Sequence, residues 1–130
     1  MSLHDVYQKQ LLDHYHNPRN YGTLDNPDFS TEIISPTCGD SVAFEGTIED
    51  GIITDIRFHG EGSILSQGTA SLLSEHVKGT SISYVQNLTH SDVLDMIGIE
   101  VGPNRARTVG LPLDVLHKGI AEYVASRSDS

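Results

Sequence analysis

The sequence predicts an α+β fold: a small antiparallel sheet of about three strands, with an N-terminal helix and several C-terminal helices packed on one face. Apolar residues recur at helical spacing at the start of the chain, alternate at strand spacing through its middle, and return to helical spacing in its second half. The dipeptide Asp50-Gly51 joins two alternating runs and supplies the positive φ angles that a tight hairpin needs. At 130 residues the chain is sized for one domain, taken as 1–130.

The first helix is read from Leu3, Tyr7, Leu11 and Tyr15, four residues apart, with Ser2 and Asp5 as a capping pair and an end near His16. Asn17-Pro18-Arg19-Asn20-Tyr21-Gly22 is rich in turn formers, so a loop is expected to about Phe29. A β-branched run over 31–35 starts the sheet. Residues 41–49 and 52–59 then form the hairpin, with Val42, Phe44 and Ile48 on one parity and Ile52, Ile56 and Phe58 on one parity. Glu45, Thr47, Glu49, Asp55 and Arg57 fall on the other face, so the apolar face needs a cover.

The second half supplies it. Leu65, Leu72, Leu73 and Val77 make a helical stripe closed by Gly79, and brief helices are read over 82–88 and 91–97, the latter capped by Thr89 or Ser91. A last helix is built on Leu111, Val115, Ile120 and Val124. Pro112 is expected in its first turn and Asp114 is spaced to pair with Lys118.

Eighteen acidic against eight basic side chains give a formal charge of −10, which repels phosphate backbones and anionic lipid. No apolar run approaches the roughly 20 residues of a membrane helix, and no secretory leader is read at the start. The expectation is a soluble, cytoplasmic protein without nucleic-acid or membrane partners. A lone Cys38 makes no internal disulfide and is a packing residue, a reactive thiol or a metal ligand.

Three loops border these elements: Pro36-Thr37-Cys38-Gly39-Asp40, Gly60-Glu61-Gly62-Ser63 and residues 104–108, which could meet at one edge. Gly39 lets the backbone bend until the Cys38 thiolate and the Asp40 carboxylate point at a shared ion, although the triplet also serves as an ordinary turn. Gly60-x-Gly62 lacks the third glycine of a dinucleotide fingerprint, Leu65 standing there, and Ser63 lacks the nucleophile-elbow context of a serine hydrolase. The histidines His14, His16, His76, His90 and His117 read mostly as surface residues.

Four segments resemble a known family over nearly the whole chain. They are Tyr7-x-x-x-Leu11-Leu12-Asp13-His14-Tyr15-x-Asn17-Pro18-Arg19-Asn20, Pro36-Thr37-Cys38-Gly39-Asp40, the hairpin segment 49–58, and Gly60-Glu61-Gly62 before a small-residue helix. They are similar to the IscU, SufU and NifU N-terminal scaffolds of iron–sulfur cluster assembly. The resemblance implies an α+β fold, transient assembly of an iron–sulfur cluster, and sulfur received from a cysteine desulfurase. Other partners implied are a second scaffold or a recipient apoprotein.

The family's ligands are three cysteines and an aspartate, carried over here as Cys38 and Asp40 alone. Ser63 and Thr108 stand where the other two cysteines belong, and Arg107 stands where the IscU branch has histidine. Clusters are held by thiolates, and a hydroxyl keeps its proton far more firmly than a thiol of pKa about 8.5. One chain then offers Cys38 and Asp40 for iron, zinc or a cluster, with His59 as an extra candidate. A homodimer sharing both residues from each chain would reach four ligands.

Two readings follow. In the first, a scaffold with a depleted ligand set takes sulfur on Cys38 as a persulfide and holds labile iron at Asp40. In the second, a relative that binds no cluster docks a desulfurase or another scaffold. Neither is an enzyme in the strict sense, since no nucleophile and general-base pair is in view.

Overall fold

Ser2 caps the first helix as expected: its hydroxyl accepts the Asp5 amide at 3.2 Å and α1 runs Leu3–His16. The computed structural model describes residues 2–36 and 39–128. Leu11 and His14 are the buried positions of α1, whereas Leu3, expected on its apolar stripe, is 69% exposed.

β1 (Phe29–Ile34), β2 (Ser41–Glu49) and β3 (Ile52–Glu61) form one antiparallel sheet in the order β1-β2-β3. The hairpin turns at Asp50 and Gly51, whose φ values of 52° and 77° are those of a left-handed two-residue turn. One strand-parity expectation fails. Phe58 and Ile56 face the core opposite Phe44 and Gly46, but a register shift at Thr47/Ile48 puts Ile53, not Ile52, inward opposite Ile48. The bulge inserts one residue into β3, so the inward parity changes between Ile56 and Ile53. The free edge of β3 is covered by residues 20–22: Phe58 donates to the Asn20 carbonyl and Gly22 donates to the Phe58 carbonyl, both at 2.9 Å.

α2 (Ile64–Val77) and α5 (Pro103–Ser128) lie on the apolar face of the sheet, and α1 packs against α2. Their meeting with the strands buries Phe44, Phe58, Leu73, Leu113 and Leu116 almost completely, side chains worth about 1.5–3 kcal/mol each when removed from water. α2 is buried on nearly all sides between Ser66 and Ser74, which its small residues permit. α3 (Ile82–Gln86) and α4 (His90–Ile97) follow. Thr89 caps α4 in a capping box with Asp92, and Gly98 ends it in the left-handed conformation.

The last helix differs most from expectation. α5 starts at Pro103, so residues 104–108 are its first turns rather than a loop, and Pro112 lies inside it. Pro103 suits a first helical position. At Pro112 the missing N–H leaves the carbonyl of Thr108 without its helical donor. Asp114 pairs with His90 of α4 at 2.7 Å and Lys118 donates to the Glu32 carbonyl of β1 at 3.1 Å, so neither serves the expected i, i+4 pair.

His14 also departs from a surface assignment. It is 3% exposed, with Nδ1 2.8 Å from Ser71 Oγ and Nε2 3.9 Å from a Glu75 oxygen. Burial, reinforced by the Arg19 charge, holds its pKa below the usual histidine value.

Candidate functional site

The site is built where the end of β1 approaches the start of α2. The Ser35 amide donates to the Asp40 carbonyl at 2.7 Å and the Gly39 amide to the Ser35 carbonyl at 3.1 Å. Gly39 takes φ +76°, a conformation glycine adopts without strain. These two bonds tie the end of β1 to Gly39 and Asp40, just before β2 begins at Ser41. Cys38, the expected sulfur acceptor and ligand, lies outside the described residues.

Asp40 is 5% exposed. One carboxylate oxygen accepts the Ser63 amide at 2.8 Å and the other accepts the Ser63 hydroxyl at 3.3 Å. Ser63 is the N-cap of α2, and its hydroxyl also accepts the Ser66 amide at 3.2 Å. A carboxylate is thereby placed at the positive end of the helix dipole, a favourable position for an anion.

The two glycines before Ser63 have a structural cause that the Gly-x-Gly spacing alone does not reveal. A Cβ on Gly60 would lie 2.1 Å from the Ser41 carbonyl oxygen, and one on Gly62 would lie 2.0 Å from Asp40 Oδ1. They let β3 and the loop after it close onto β2 and Asp40. Gln67, not singled out from the sequence, fixes the same junction by donating to the Ser41 carbonyl at 3.0 Å.

Thr108 sits half-buried in the second turn of α5, its hydroxyl 3.5 Å from the Asn104 carbonyl. With Ile33, Ser35, Pro36, Arg105 and Arg107 it lines a cleft of about 590 Å³. Ser63 borders an adjoining cleft of about 410 Å³ with Ile64, Leu65, Ile99 and Arg105. Arg105, which the sequence reading passed over in favour of Arg107, thus borders the clefts of both Ser63 and Thr108. Of the three segments expected to meet, Pro36, Ser63 and the 104–108 stretch border these two clefts, the last as helix rather than loop.

A metal finds few donors in the described part. The Ser63 proton is directed at Asp40 and the Thr108 hydroxyl at a backbone carbonyl, and among the described residues no three His, Cys, Asp or Glu side chains are grouped to hold an ion. His59 is half-buried on β3 opposite Ala43 and joins no such group. Among the described ligand candidates Asp40 is the carboxylate, whose oxygens carry two lone pairs each.

Comparison with known proteins agrees with this architecture. The chain is 34% identical to an iron–sulfur cluster assembly scaffold protein IscU of Aquifex aeolicus, over 91% of this chain and 76% of the relative. It is 34% identical to the Escherichia coli (strain K12) protein of the same name, over 94% and 97% of the two chains. It is also 28% identical to the zinc-dependent sulfurtransferase SufU of Bacillus subtilis, over 93% of each. Among solved structures, the N-terminal part of a NifU-like protein from Brucella abortus superposes with TM-score 0.75 at 21% identity, covering 93% of this chain and 96% of that one. At that identity the likeness is one of fold. The model of the NifU-like N terminal domain matches residues 6–129, and the chain belongs to that family.

Proposed function

We propose that this chain works as a single-domain sulfur-accepting component of iron–sulfur cluster assembly, of the scaffold type, with a depleted ligand set. Cys38 receives sulfur from a cysteine desulfurase as a persulfide, and Asp40 holds iron or zinc beside it. The observation that carries the reading is the buried Asp40 carboxylate, held at the start of α2 by Ser63 and by the room that Gly62 leaves. Asp40 stands two residues after the lone cysteine.

The same geometry limits how much one chain can hold. Four donors are needed for a closed zinc site or a [2Fe–2S] cluster, and Ser63 and Thr108 keep their protons in hydrogen bonds. A cluster on this protein therefore bridges two chains, each giving Cys38 and Asp40. Passing the persulfide onward would make the chain a sulfurtransferase, the term in the name of the B. subtilis relative, rather than a passive scaffold.

The hydrogen bonds from Ser63 to Asp40 favour a second reading in which the site is closed without metal and the chain only docks a desulfurase or another scaffold. Anaerobic reconstitution with iron or zinc and sulfide separates the two. The scaffold reading expects metal that is lost in Cys38→Ala and that accompanies a dimer. It also expects a Ser63→Cys/Thr108→Cys variant to gain several-fold more metal and sulfide per chain. Absence of metal from the natural sequence under every condition, with normal desulfurase binding, establishes the docking reading instead.

A further inference from the structure

The chain carries a formal charge of −10 with only five arginines. Arg19 pairs with Asp13, Arg57 pairs with Asp55, and Arg127 lies 5.4 Å from the Tyr123 ring centroid. Arg105 and Arg107 make no hydrogen bond or ion pair among the described residues, although carboxylates are in large excess. Both border the cleft of about 590 Å³ between the end of β1 and the first turns of α5. Side chains two apart on a helix do not face each other, so the two arginines border this cleft from different sides of α5.

The remaining walls suit a small anion with some apolar body. Ser35, Asn104 and Thr108 bring polar groups, while Ile33, Pro36 and Leu111 bring apolar surface. Asn104 and Arg105 occupy the first turn of α5, where backbone N–H groups have no partner within the helix and the dipole adds positive potential. Glu100 borders the adjoining cleft with Arg105 and does not approach it closely enough for an ion pair. Guanidinium groups match carboxylate and phosphate oxygens in pairs of parallel hydrogen bonds.

From this cluster we infer that the cleft is a binding site for a small oxyanion, free or carried on a small organic molecule, clamped by Arg105 and Arg107. The inference goes beyond the sulfur-accepting role and does not depend on it, because it uses neither Cys38 nor a metal. The site takes phosphate, sulfate or carboxylate groups, and the apolar wall of Ile33 and Leu111 also accommodates a short hydrocarbon body.

The test uses the full chain with two probes, inorganic phosphate and succinate, titrated at constant ionic strength. Binding is read from the arginine Nε–H resonances and from the thermal unfolding midpoint. The expected result is a saturable shift of the Arg105 and Arg107 resonances and a rise in midpoint. Both are lost in Arg105→Gln/Arg107→Gln and kept in Arg127→Gln, which removes the same charge at the far end of α5. Tighter binding of succinate supports a ligand with an apolar body, and tighter binding of phosphate supports a free anion, each within the proposal. Should the double variant misfold, the single variants are each expected to weaken binding at least tenfold. Saturation by neither probe, or equal binding by the natural chain and the arginine variants, overturns it.

Discussion

Gly62 shows how a single position holds the candidate site open. Its φ is +146°, and a Cβ there would lie 2.0 Å from Asp40 Oδ1. Gly62→Ala is expected to cost about 2–4 kcal/mol through backbone strain and displacement of a buried carboxylate, read as a lower urea midpoint. Asp40→Ala leaves the Ser63 amide without its acceptor and is expected to cost about 1–3 kcal/mol, with Asp40→Asn retaining part of the stability. His14 gives a prediction in pH. It is buried against Ser71, faces Glu75, Asp13 and Arg19, and its folded pKa lies below the unfolded value. Above the unfolded pKa of about 6.5 its contribution is fully present. As pH falls below that value the unfolded chain takes up the proton first, so stability declines until the folded pKa is reached. Denaturation midpoints between about pH 7.5 and about pH 5, spanning the unfolded histidine value, should show this slope, and His14→Asn should flatten it. Asp40 is singled out in sequence by its place two residues after the lone cysteine, and its burial against Ser63 appears only in the fold. The burial of His14 is hidden as well, since a histidine at helical spacing reads the same on a surface until Ser71 is folded against it.

At the scale of elements, local signals succeed where the chain decides locally. Ser2, Thr89 and Gly98 mark helix ends because capping needs only neighbouring atoms. Asp50-Gly51 fixes the hairpin for the same reason, and Gly51→Ala, at φ +77°, is expected to cost about 1 kcal/mol in thermal stability. Signals that depend on tertiary contact are hidden. The bulge at Thr47/Ile48 exchanges Ile52 for Ile53 in the core, and no residue in that stretch announces it. Pro112 would ordinarily stop or start a helix, yet α5 passes through it because Leu111, Leu113 and Leu116 on either side are buried in the core. That continuity turns residues 104–108 from a loop into helix and sets Arg105, Arg107 and Thr108 along one cleft. An Asp114→Asn exchange should loosen the α4–α5 contact made through His90, with a loss of less than about 1 kcal/mol because both partners are half exposed.

For the molecule as a whole, the α+β architecture follows from the order of the periodicities, and the solved structure of a NifU-like protein superposes on it with TM-score 0.75. The ligand inventory is a different kind of information. The fold brings Ser63 and Thr108, expected to stand in place of family cysteines, to neighbouring clefts that share Arg105, and each hydroxyl makes a hydrogen bond. In the proposed function such a molecule keeps the frame of a cluster scaffold, and sulfur acceptance by Cys38 is the central claim. The most direct measurement is the intact mass of the chain after incubation with a cysteine desulfurase and cysteine, followed by thiol-blocking and peptide mapping. The account predicts one added sulfur, reversible by reductant, on the peptide containing Cys38, and none on Cys38→Ala. An unmodified Cys38 after productive desulfurase turnover, with the desulfurase bound, would contradict it.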